Sequence, residues 1–222
     1  MKNHFKMRSV KRCLGGLLLL VTGLAAAQPK HQVHDYGTID PAAWVMPSDR
    51  GVSCSLGTYQ NAKALLIKKN SSNYKFACVA YPKGLRFRDG VIELDLAAGS
   101  WRDFLGLAFR IRDGHHYECL YFRPAYSGSI SAVQYMPAKK MDFDWWDYEA
   151  ARYQASAVLP KTSWFHVRAV VRGRQLSVYI DHRPRPVTVY RSLDPDLKSG
   201  SVGFWFGNSW GCAYKNLVVT CF

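Results

Sequence analysis

The chain has 222 residues, 30 Lys and Arg against 16 Asp and Glu, and a formal net charge of +14. This length suits a single domain and calls for no second one. The basic residues are scattered rather than clustered, which favours contact with anionic surfaces or glycans and argues against nucleic acid as a partner.

In chain order, the first feature is a basic N-terminus (Lys2, Lys6, Arg8, Lys11, Arg12) with no acid, followed by an apolar run from Leu14 to Leu24. That run is too short for a membrane-spanning helix, which needs about 20 apolar residues, and fits the hydrophobic region of a signal peptide. Ala25, Ala26 and Ala27 then supply a small-residue cleavage site. Residues 1–27 are therefore predicted to be a signal peptide. Cleavage after Ala27 would leave a 195-residue exported protein, periplasmic or extracellular, with no transmembrane segment and a charge of about +9.

A Pro/Asp/Gly-rich lead-in covers residues 28–50, and the domain proper is predicted over 51–222. From there, short apolar stretches alternate with turn signals, the pattern of an all-β domain. The predicted strands are 53–59, 64–68, 75–81, 90–96, 104–112, 117–123, 131–136, 156–159, 165–172, 175–181, 187–190, 200–206 and 215–220. Asp113-Gly114, Arg172-Gly173-Arg174 and Lys198-Ser199-Gly200 are among the turns. This number of antiparallel strands predicts two stacked sheets.

Alternation assigns the faces. Leu105, Leu107, Phe109 and Ile111 are predicted inward, as are Leu120 and Phe122, which leaves Arg110, Arg112, Tyr117, Tyr121 and Arg123 on an open face. Glu118 falls on the inward side, where a buried pairing with an arginine is the expected outcome.

Five cysteines follow the signal segment: Cys54, Cys78, Cys119, Cys212 and Cys221. In an oxidising compartment they allow two disulfides, and near-neighbour pairing (Cys54–Cys78, Cys212–Cys221) leaves Cys119 over. No spacing suits a thiolate metal site.

The segments 87–95 (FRDGVIELD), 104–110 (FLGLAFR) and 117–124 (YECLYFRP), followed in order by 132–137 (AVQYMP), 164–167 (WFHV), 178–181 (VYID) and 200–205 (GSVGFW), resemble the concanavalin A-like lectin/glucanase superfamily. The nearest likeness is to laminin-G-like domains and to the 3-keto-disaccharide hydrolase domain of exported bacterial proteins. The resemblance implies an all-β, two-sheet antiparallel jelly-roll sandwich with a concave face that often binds saccharides. It implies as alternatives a glycoside hydrolase acting on 3-keto-disaccharides or glycans, or a laminin-G-type protein-interaction module. Glu93 and Asp95 match the first two acids of the glucanase E-x-D-x-x-E motif, but Ala98 stands where the third acid belongs. That departure removes the acid/base, and Glu93 and Asp95 are expected to be surface or ion-paired residues.

A saccharide site needs aromatic platforms and planar polar groups. The predicted ligand-binding residues are Tyr121, Arg123, Gln134 and Tyr135, of which Gln134 and Tyr135 cannot share a face, and one of Trp145 and Trp146 in the aromatic, acidic segment 141–149. No cofactor is expected, although the acids of that segment also suit a hard cation such as calcium.

Overall fold

The computed structural model describes Met1 and residues 31–47, 51–70, 77–139, 148 and 151–222. The signal segment beyond Met1 and the Trp145–Trp146 pair lie outside these residues. Among the described residues, no helix is long and apolar enough to cross a membrane.

Two antiparallel sheets form the sandwich predicted from the alternation. The larger sheet contains β1 (Gln32–Tyr36), β3 (Val52–Tyr59), β4 (Ala62–Lys69), β6 (Gly90–Ala98), β11 (Phe165–Arg172), β12 (Gln175–Ile180), β13 (Thr188–Tyr190) and β15 (Gly211–Cys221). Its order is β13-β12-β11-β6-β15-β4-β3, with β1 also paired to β15. The smaller sheet contains β2 (Trp44–Val45), β5 (Cys78–Pro82), β7 (Leu105–Asp113), β8 (His116–Phe122), β9 (Val133–Ala138), β10 (Gln154–Ala155) and β14 (Ser201–Phe206). These run in the order β10-β9-β8-β7-β14-β5-β2.

Between the sheets lies the main core. Ile92, Leu94 and Leu96 of β6 and Val167, Ala169 and Val171 of β11 meet Leu105, Leu107, Phe109, Leu120 and Phe122 from the facing sheet. The lead-in belongs to this sandwich. β1 pairs with β15 along residues 217–221, and Trp44 is buried with its ring stacked on Phe204 at 5.3 Å.

Two features differ from the sequence reading. The expected strand at 156–159 is irregular chain, because the Ser127 hydroxyl takes the place of a strand partner there: its Oγ accepts from Leu159 N (2.8 Å) and donates to Leu159 O (2.9 Å). The second is a β-bulge in β7. Ser201 pairs with Ile111 and Val202 with Phe109, so Arg110 is the extra residue, held at φ 50°. A bulge reverses the alternation beyond it. Ile111 therefore joins the apolar cluster on the sheet's outer side rather than the central core.

No disulfide links any two of Cys54, Cys78, Cys119, Cys212 and Cys221. A Cys212–Cys221 bridge is sterically excluded. The two residues sit at opposite ends of one eleven-residue strand, roughly 30 Å apart at strand rise, where a disulfide tolerates about 7 Å between Cα atoms.

Candidate functional site

The outer face of the smaller sheet carries one row of paired residues from four adjacent strands: Trp205, Gly106, Tyr121 and Gln134. Gly106 is required in the row, since a Cβ there would lie 2.1 Å from the Leu120 carbonyl oxygen. Without a side chain between them, the rings of Tyr121 and Trp205 approach to 5.0 Å between centroids. The Tyr121 hydroxyl donates to Gln134 Oε1, and Gln134 Nε2 donates to the Tyr148 carbonyl at 2.8 Å. Both side chains are thereby fixed in orientation.

Arg123 follows directly on β8 and lies at the margin of this row. Its guanidinium carbon is 3.9 Å from the Tyr126 ring centroid and 5.0 Å from that of Phe104, and the Phe104 ring is in turn 6.4 Å from Tyr121. Tyr126 is exposed, while Arg123 and Phe104 are half-buried. Tyr121 and Gln134 have no exposed surface at all. The structure thus brings three of the sequence-predicted residues together, with Arg123 half-buried and the other two fully buried beside it.

The expected open face is corrected on two counts. Tyr117 and Tyr121 are buried, and Tyr121 is packed as firmly as a core residue. Arg110 does not share the face, because its bulge turns the side chain into the protein. It donates to Glu118 Oε1 (2.8 Å) and to the carbonyls of Arg88 (2.9 Å) and Gly173 (2.6 Å), with Asp89 at 3.2 Å. Glu118 is fully buried and also accepts from the Tyr135 hydroxyl at 2.7 Å. Burial pushes its carboxyl up to about 7, against the opposing pull of Tyr135 and Arg110. Tyr135 is therefore committed to the inter-sheet core and lies apart from Gln134, as adjacent strand residues must.

The larger sheet's outer face is chemically different. His166 Nδ1 lies 2.8 Å from Asp95 Oδ1, and its Nε2 lies 3.6 Å from Glu93 Oε1. Asn216 donates to Asp95 Oδ2 at 2.6 Å, with Lys215 Nζ 3.8 Å from the same oxygen. Hydrogen bonding to Asp95 raises the His166 pKa in spite of partial burial. Burial pulls Asp95 upward, but the bonds from His166 and Asn216 outweigh it and leave the carboxyl below its ordinary value. Glu93 and Asp95 are thus ion-paired. On the same face, the Arg168 guanidinium carbon stands 3.7 Å from the Tyr179 ring centroid. A cleft of about 480 Å³ adjoins the His166–Asp95 group, where β15 passes from pairing with β4 to pairing with β1; it shares Lys215 with that group and also includes Lys63 and Ile39 in its lining.

The sheet order and the two packed layers define an antiparallel two-sheet jelly-roll sandwich. Among solved structures, the fold is similar to the carbohydrate-binding module CBM66 from Bacillus subtilis, with a TM-score of 0.57 and 12% identity over 80% of this chain and 95% of that one. It is also similar to a protein of unknown function with a galectin-like fold from Bacillus subtilis (TM-score 0.54, 13% identity, 80% and 89% covered). A third similar structure is described as a native glycosidic hydrolase (TM-score 0.53, 11% identity, 88% and 97% covered). No protein-family profile and no curated protein matches the sequence.

Sequence reasoning missed Phe104 and Tyr126 as parts of this margin. Phe104 immediately precedes β7 and Tyr126 ends the 3-10 turn Pro124–Tyr126 that follows Arg123, and that proximity to Arg123 was the available signal.

Proposed function

We propose that the protein is an exported saccharide-binding module whose ligand lies on the Arg123–Tyr126–Phe104 shelf at the margin of the smaller sheet. The observation that carries this reading is the stacking of the Arg123 guanidinium 3.9 Å over an exposed tyrosine ring. An aromatic face takes the C–H side of a sugar, and a guanidinium beside it can offer donors in a fork to neighbouring hydroxyls. Tyr121 and Gln134 act as positioning residues that hold the shelf from beneath. The folds described as a carbohydrate-binding module and as galectin-like support this class of ligand.

Binding is favoured over glycosidic hydrolysis by the state of the acids. Among the described residues, Asp103 beside Phe104 is fully buried and occupied by backbone amides, and the Glu93–Asp95 pair on the other sheet is engaged by His166. A glycosidase needs two carboxyls flanking one open space.

A glycan-array screen of the purified protein, repeated with Arg123→Ala and Tyr126→Ala, tests the reading. Both variants are expected to lose binding to whichever glycans the parent holds, with an unchanged melting temperature. Retained binding in both folded variants would refute the shelf. N-terminal sequencing of protein from its host tests export, with Gln28 expected as the first residue.

A further inference from the structure

Two exposed tryptophans stand at the loop end of the sandwich next to this shelf. Trp101, in the β6–β7 loop, is 45% exposed, and Trp210, in the β14–β15 loop, is 72% exposed. Trp210 buries little of its ring and Trp101 leaves nearly half of its surface open, and neither belongs to the core clusters.

Both loops are nonetheless braced. Asp103 is fully buried with no cation paired to it among the described residues, and its carboxylate accepts from the backbone N–H of Ser100 (2.7 Å) and of Trp210 (2.8 Å). Ser209 Oγ accepts from Phe104 N (2.6 Å) and donates to Phe104 O (2.8 Å), while Gly207 N donates to the same carbonyl at 2.9 Å. A buried carboxylate is costly unless its hydrogen bonds are filled. Here they tie the two tryptophan-bearing loops together, and the separate bonds from Ser209 and Gly207 fix Phe104, the ring beside Arg123, to the same loop.

Each ring also has its own cation. Arg102 lies 4.9 Å from the Trp101 ring centroid and Lys69 lies 5.1 Å from that of Trp210, repeating the pairing of Arg123 with Tyr126. One ring with one cation would suit a single sugar unit. Ring and cation repeated on three segments, joined by one brace, fit successive units that each carry a negative charge.

Building on the saccharide reading above, we infer that the shelf extends across Trp101 and Trp210 as a multi-unit site for an acidic polysaccharide, with uronate-bearing units stacked on the rings and their carboxylates facing Arg102 and Lys69. An anionic membrane also attracts tryptophans beside cations. The glycan is preferred because the brace makes the tryptophans continuous with the Arg123 shelf at Phe104.

The experiment titrates the purified protein with galacturonate, glucuronate and mannuronate oligosaccharides from di- to octasaccharide, each beside its carboxyl-reduced neutral counterpart, and with anionic phospholipid vesicles. Affinity is expected to rise with length in an acidic series and to stay flat in the neutral one. Trp101→Ala and Trp210→Ala should each weaken the longest oligomers roughly two- to tenfold. The disaccharide affinity and the melting temperature should stay unchanged. Arg123→Ala should weaken every length. Equal binding of neutral and acidic series, or a length dependence that survives both tryptophan variants, overturns the acidic multi-unit site. The shelf itself then stands if Arg123→Ala still weakens binding. Absence of any glycan binding sinks both readings, and vesicle binding that depends on Trp210 without a glycan length effect replaces the polysaccharide with a membrane.

Discussion

The two sheets of the sandwich turn very different outer faces to their surroundings. The smaller sheet carries Tyr117, Cys119, Tyr121, Met136 and Trp205 on its outer face, all buried, with half-buried Arg123 at its margin. The larger sheet presents Glu93, Asp95, His166, Arg168 and Lys215, all half-buried and paired with one another or with aromatic rings. Both faces contain the same local arrangement, an arginine stacked on a tyrosine, at 3.9 Å for Arg123 and 3.7 Å for Arg168. What separates them is the support below. Arg123 rests beside a second buried apolar layer that fixes its neighbours, whereas Arg168 lies on the ordinary solvated side of a strand. Among the described residues, a rigid aromatic foundation lies beside the proposed margin and is missing from the surface ion network.

The largest effects should come from breaking what is buried. Arg110→Ala strands Glu118 without its cation in the interior, and the expected loss is about 3–5 kcal/mol by chemical denaturation. Tyr121→Ala empties a fully buried ring site and should cost about 3–5 kcal/mol. Tyr179→Ala on the larger sheet should cost less than about 1.5 kcal/mol. Similar losses for the two tyrosines would erase the distinction between the faces.

A smaller effect concerns pH. His166 is raised above 6.5 by Asp95, so its contribution is complete below that value and disappears as pH rises through the raised pKa. Asp95 is lowered below 3.8, so its contribution is complete above that value and is lost as pH falls through the lowered pKa. The His166–Asp95 pair therefore stabilises most between these limits, and Asp95→Asn should flatten both flanks of the profile. Glu118 adds a fall in stability between about 4.5 and about 7, because its raised folded pKa keeps the proton that the unfolded chain releases. That slope should survive Asp95→Asn and vanish in Glu118→Gln, so denaturation midpoints of the two variants across pH separate the contributions.

Much of this was legible in the chain. Alternation placed Leu105, Leu107, Phe109, Leu120 and Phe122 inward correctly, and it put Tyr121 and Arg123 on the opposite side, because β8 is regular. It failed past Phe109, where one extra residue in β7 turned Arg110 inward and Ile111 outward, since no alternation rule marks a bulge whose positive φ falls on an arginine. Side also differs from exposure. Tyr121 lies on the predicted face, but it is packed within a second apolar cluster assembled from strands far apart in sequence. The lead-in read as irregular because β1 and β2 are short and take their partners from β15 and β5. The brace at Asp103 joins residues 107 positions apart, which local pattern cannot reveal.

If the smaller sheet's margin rather than the larger sheet's face holds the sugar, only one of the two stacked arginines matters for binding. The two stacked arginines make the direct test. With the best glycan from the array, isothermal titration of Arg123→Ala should show a roughly ten- to hundredfold loss of affinity, the expected cost of hydrogen bonds from a charged donor. Arg168→Ala should bind as the parent does. Lost affinity in Arg168→Ala with full affinity in Arg123→Ala would place the site on the larger sheet instead.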